Sequence, residues 1–85
     1  FEFSYPYPNP FNPSTLIKFA LPNDSKVKIM AYDITGRHVD TILNKRLDAG
    51  YYDITWKPST LSSGIYLLNI QTDGSDLTHK VMYIK

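Results

Sequence analysis

Glycine and proline punctuate this chain, and no stretch between them sustains a helical period with caps. Four of the six prolines, Pro6, Pro8, Pro10 and Pro13, fall within the first thirteen residues. Each fixes its own φ and drives the preceding residue toward extended backbone, so Tyr5–Pro13 reads as an extended leader. Its Tyr7 and Phe11 are the residues expected to pack onto the edge of the folded remainder of the chain. Beyond the leader, strand chemistry alternates with turns. Thr15–Leu21 places Ile17, Phe19 and Leu21 on one face, with Lys18 and Ala20 on the other. Lys26–Asp33 sets Val27, Ile29 and Ala31 against Lys26, Lys28 and Met30 after the turn cluster Pro22–Ser25. Asp33–Gly36 is a tight turn in which Gly36 supplies positive φ, and Arg37–Leu43 is its return strand.

A polar loop, Asn44–Gly50, precedes Tyr51–Lys57, where Tyr52, Ile54 and Trp56 share a face opposite Asp53 and Thr55. The loop Pro58–Ser63 closes on Gly64. Ile65–Thr72 then runs apolar on both faces, as a central strand does. Asp73–Asp76 carries hairpin-turn chemistry before a last strand, Leu77–Ile84. About seven strands at intervals of about 8–12 residues predict an all-β fold, a seven-stranded antiparallel immunoglobulin-like β-sandwich behind a Pro-rich leader. The expected core is Ile17, Phe19, Val27, Ile29, Val39, Ile54, Trp56, Leu68 and Ile70.

Eighty-five residues suffice for one domain and a thin core. The 14% aromatic content and net charge of +1 are the reverse of a disordered composition. The basic residues are scattered, with no dense run to neutralise a phosphate backbone, so nucleic acid is not an expected partner. Absence of cysteine removes disulfides, thiolate metal sites and thiol nucleophiles. No apolar run reaches the ~18 residues of a membrane span. The chain starts at Phe1 and passes directly into prolines, so it reads as a piece of something longer.

Catalytic patterns are missing. His38 and His79 are isolated and read as solvated strand positions. Ser62-Ser63-Gly64 lacks the frame of a nucleophile elbow, and most carboxylates occupy turns. Asp73–Asp76 is too short to supply the six to eight oxygens calcium prefers. Asn23-Asp24-Ser25 matches a glycosylation sequon, a pattern common by chance. Neither enzyme activity nor a cofactor, metal or small-molecule substrate is expected. The functional alternative lies in the aromatics, since Tyr51, Tyr66, Tyr83 and Trp56 would suit a sugar-stacking platform.

The landmarks, taken in order, resemble a known family. Tyr7-Pro8-Asn9-Pro10-Phe11-Asn12-Pro13-Ser14-Thr15 leads into Leu16–Phe19, and Tyr32–Arg37 comes next with Val39. Leu47–Tyr52 with Gly50, then Thr55-Trp56, then Leu61-Ser62-Ser63-Gly64-Ile65-Tyr66 continue the series, and Lys80–Lys85 ends it. This arrangement is similar to the type A C-terminal sorting domain of the type IX secretion system of Bacteroidetes, also called the Por secretion tail. A related immunoglobulin-like domain occurs in flagellar hook-capping proteins. Lys57-Pro58 departs from the usual Asp-Gly turn after the tryptophan.

The resemblance implies a larger exported cargo that folds in the periplasm and is recognised through this domain by the outer-membrane translocon. The cargo then reaches the cell surface or medium, with no catalysis by the domain. The expected division of the chain is residues 1–14, a Pro-rich leader or linker from the upstream cargo, and 15–85, the sorting domain. A terminal strand offers backbone donors and acceptors at an edge. Leu77, His79, Lys80, Val81, Met82, Tyr83, Ile84 and Lys85 are therefore the expected translocon contacts, with Lys80 and Lys85 supplying charge. The rival expectations are a carbohydrate-binding or adhesion module and a passive spacer.

Overall fold

The computed structural model describes all 85 residues. Seven strands and no helix make up the fold: β1 (Glu2–Tyr7), β2 (Thr15–Leu21), β3 (Ser25–Asp33), β4 (His38–Leu47), β5 (Gly50–Trp56), β6 (Gly64–Gln71) and β7 (Asp76–Tyr83). They form a three-stranded sheet in the order β1-β2-β5 and a four-stranded sheet in the order β4-β3-β6-β7. Every strand pairing is antiparallel. The chain crosses between sheets after β2, β4 and β5, the Greek-key logic of an immunoglobulin-like sandwich.

Period-two alternation decides which side chains meet between the sheets. Ile17, Phe19 and Leu21 from β2 face Val27, Ile29 and Ala31 from β3 and Leu68 and Ile70 from β6, all buried. On β6 the two apolar faces resolve into Tyr66, Leu68 and Ile70 inward and Ile65, Leu67 and Asn69 outward. Val39 and Ile54, expected in the core, are only half-buried at its border. The buried cluster also includes Phe11, Leu21, Ala31, Leu47, Tyr66, Val81 and Tyr83.

The leader and the fourth strand depart most from expectation. Glu2–Tyr7 is a strand, pairing Phe3 with Phe19 and Ser4 with Lys18 before a bulge. Pro6 is tolerated there because an edge strand has one side free of ladder bonds. Tyr7 points away and is exposed, while Phe11 is almost wholly buried. Strand β4 extends to Leu47 through the supposed loop, because Asn44, Lys45 and Arg46 find partners in Lys28, Val27 and Lys26. Ser25, expected in a turn, is a buried strand residue whose hydroxyl accepts the Asp73 N–H at 2.9 Å.

Candidate recognition end

Antiparallel order brings the ends of β1, β3, β5 and β7 and the starts of β2, β4 and β6 to one end of the sandwich. There the leader returns along β7. The Asn9 side chain acts as an extra strand residue: its Oδ1 accepts the Met82 N–H at 2.9 Å, and its Nδ2 donates to the Lys80 carbonyl at 3.2 Å. Two residues on, the Phe11 N–H donates to the Met82 carbonyl and the Phe11 carbonyl accepts the Ile84 N–H, at 2.9 and 3.0 Å. Thr15 closes the loop by donating its hydroxyl to the Pro8 carbonyl at 2.9 Å.

Beneath these bonds lies an aromatic cluster. The Phe11 ring stacks on Tyr83 at 5.1 Å and meets Trp56 at 5.5 Å, and Trp56 meets Tyr66 edge-on at 6.1 Å. Each polar tip has a partner, as buried Tyr and Trp require. Trp56 Nε1 donates to Asp40 at 2.8 Å, and the Tyr66 hydroxyl donates to the Ser62 carbonyl at 2.6 Å. Tyr83 reaches the Pro58 carbonyl at 3.4 Å. Ser63 accepts the Lys85 N–H through its hydroxyl at 2.7 Å, which fastens the last residue to the start of β6.

The β3–β4 turn sits at the same end. Asp33 Oδ1 accepts from the Thr35 N–H and hydroxyl and from the Arg37 N–H, while Oδ2 takes Arg37 Nε at 3.1 Å. The Thr35 hydroxyl bond leads in holding the Asp33 carboxyl below its ordinary pKa, helped by the Arg37 and Thr35 amides and the Arg37 charge. Gly36 completes the turn at φ 88°, a region other residues enter at a cost.

The predicted contact residues therefore separate by parity. Val81 and Tyr83 point inward and are buried, while Lys80, Met82, Ile84 and Lys85 face solvent. Leu77 is partly exposed. His79 is half-buried rather than solvated, stacked on Tyr5 at 4.3 Å and against Phe3 at 6.0 Å across the sheet gap. His38 is exposed and meets Thr41 at 2.9 Å, as a surface strand residue. The edge of β7 is open only in part, since the leader takes Lys80 O, Met82 N, Met82 O and Ile84 N.

Of the motif positions, Tyr7, Pro8, Asn9, Pro10, Phe11, Asn12, Pro13, Gly36, Arg37, Trp56, Ser63, Gly64 and Tyr66 gather at this end, while Gly50 lies at the other. The sugar platform is not assembled: Trp56, Tyr66 and Tyr83 are core, and only Tyr51, near the far end, is exposed. Asp40 is a contact residue that sequence reasoning missed, while Asn9 was named only as a motif position and its bonds to β7 were not expected. No three His, Cys, Asp or Glu side chains come together as metal ligands. A family model described as the secretion system C-terminal sorting domain matches residues 6–85. No curated protein and no solved structure matches the chain.

Proposed function

The chain belongs to the type IX secretion system C-terminal sorting domain family, and from that premise we propose that it carries a larger cargo to the outer-membrane translocon by binding alone, with no catalytic chemistry. Membership implies export to the cell surface or the extracellular space. The observation that carries the reading is the extent of the match, which runs from Pro6 to Lys85 and takes in both partners of the leader–β7 seam. A signal read as a folded surface needs its distant motifs in one place, and the seam supports that role. Cargo joined ahead of Phe1 enters at the far end, beside Leu21, Pro22 and Gly50, which leaves the leader end clear.

Within this reading Leu77–Lys85 supplies contacts through its outward residues, Lys80, Met82, Ile84 and Lys85. Removing Val81–Lys85 would also strip Val81 and Tyr83 from the core, so its loss of export would report unfolding as much as recognition. The direct test places residues 1–85 behind a periplasm-targeted fluorescent protein in a host with the secretion system. Fluorescence on the surface or in the medium is expected. A folded fusion held in the periplasm would refute sorting by this domain.

A further inference from the structure

The outer faces of the two sheets differ in charge and in apolar content. Register places Glu2, Ser4, Leu16, Lys18, Ala20, Tyr51, Asp53 and Thr55 on the outside of the three-stranded sheet, with acids exceeding bases. Outside the four-stranded sheet, Lys26 and Arg46 pair across the strands and Lys28 stands beside Gln71, with Lys80 opposite Leu67. Asp76 is the one acid at a strand position of that face, and Asn69 donates to it at 2.7 Å. Arg46 reaches Asp73 at 3.8 Å, whereas Lys26, Lys28 and Lys80 have no ion-pair partner.

Toward the leader end this basic face turns apolar. Tyr32 lies opposite Leu67, and Ile65 lies opposite Met82, with Ile84 exposed just beyond. Ile65 separates two shallow hollows. One, of about 270 Å³, is lined by Asn9, Pro10, Ile65, Lys80, Val81 and Met82. The other, of about 400 Å³, is lined by Asp33, Ile34, Ser63, Gly64, Ile65 and Tyr66, with Asp33 already paired to Arg37. An apolar centre with a rim in which bases outnumber acids is the anatomy of a protein-binding patch.

We infer that this face, centred on Ile65, Leu67 and Met82 and rimmed by Lys28 and Lys80, is where the sorting domain docks onto a partner protein whose surface is apolar at its middle and acidic around it. The inference rests on the sorting reading and deepens it. Strand addition at the leader end of β7 is closed, because Asn9 and Phe11 already occupy its backbone groups there. A sheet face remains available, and its unpaired lysines select an acidic partner and speed the encounter.

The test compares two variants of the full 1–85 fusion. In one, Ile65→Thr, Leu67→Thr and Lys80→Glu alter the proposed face while keeping β-compatible chemistry. In the other, Lys18→Glu and Tyr51→Thr alter the opposite face. The thermal midpoint of each purified fusion is measured alongside export. The account predicts that the first variant stays folded and loses export by about tenfold or more, the effect of removing interface hot spots, while the second is exported as wild type. Wild-type export of the first variant, folded, would overturn the docking face and leave the sorting reading intact. Retention of the unaltered fusion would instead remove the sorting reading. Should the first variant fail to fold, Lys28→Glu with Lys80→Glu, both at solvent-facing positions, gives the same readout without touching apolar packing. Vesicles containing lipopolysaccharide are the final arm. If they bind the unaltered fusion and lose it on the lysine reversals, the face reads a lipid rather than an acidic protein.

Discussion

The two ends of the sandwich are held by different means. At the leader end, Phe11, Trp56, Tyr66 and Tyr83 form a buried aromatic cluster roofed by leader–β7 hydrogen bonds. At the far end the turns are tied mainly by polar contacts, with Asp24 accepting the Ala49 N–H at 2.8 Å and Ser25 accepting the Asp73 N–H, beside one partly buried aromatic pair, Phe1 on Phe19 at 6.3 Å. Most of the family motif falls at the first end. The difference teaches that much of the motif is a packing requirement, met by buried rings and leader–β7 hydrogen bonds.

The comparison breaks most visibly at Phe11. Phe11→Ala should cost about 3–5 kcal/mol, as a fully buried phenylalanine does; a loss under about 1 kcal/mol in denaturant melts would show that the leader merely rests on the domain. Asn9→Ala deletes two hydrogen bonds at an exposed seam and should cost about 1–2 kcal/mol. Its sharper signature is faster amide exchange at Met82, and unchanged protection there would contradict the strand-like role. Gly36→Ala meets open space, so backbone strain alone should lower stability by about 1–2 kcal/mol. Asp24→Ala at the far end should cost less, about 0.5–1 kcal/mol, and a loss as large as that of Phe11→Ala would erase the distinction between the ends.

Asp33 sharpens the comparison through pH. Its carboxyl is depressed in the folded chain, so its contribution is present above the unfolded value and fades as pH falls through the folded one. Asp33→Asn should therefore flatten the acid limb of a stability–pH curve and leave the neutral limb parallel. An unchanged acid limb would discount the turn network.

Much of this architecture was readable from local pattern. Alternation in Thr15–Leu21 and Lys26–Asp33 placed the inward residues because one sheet face is buried and side chains alternate strictly. What resisted reading came from distance along the chain. Asn9 bonds residues 71 and 73 positions away, and no local pattern marks such a contact. The prolines that announced an extended leader say nothing of Phe11 entering the core. His79 looked solvated because its cover, Tyr5 and Phe3, comes from the other sheet. The proposed docking face was half visible: Lys80 and Met82 lie in the segment expected to make the contacts. Tyr32 and Leu67 joined them only once β3, β6 and β7 were set side by side.

The most direct measurement sets residues 15–85 against residues 1–85, each fused to the same fluorescent protein and followed by thermal melting and by export. The account predicts that the shorter chain, without β1 and Phe11, loses its cooperative melt and stays in the periplasm while the longer one is exported. A shorter chain that melts cooperatively near the same temperature and is exported equally well would contradict it, and would return residues 1–14 to the status of a linker.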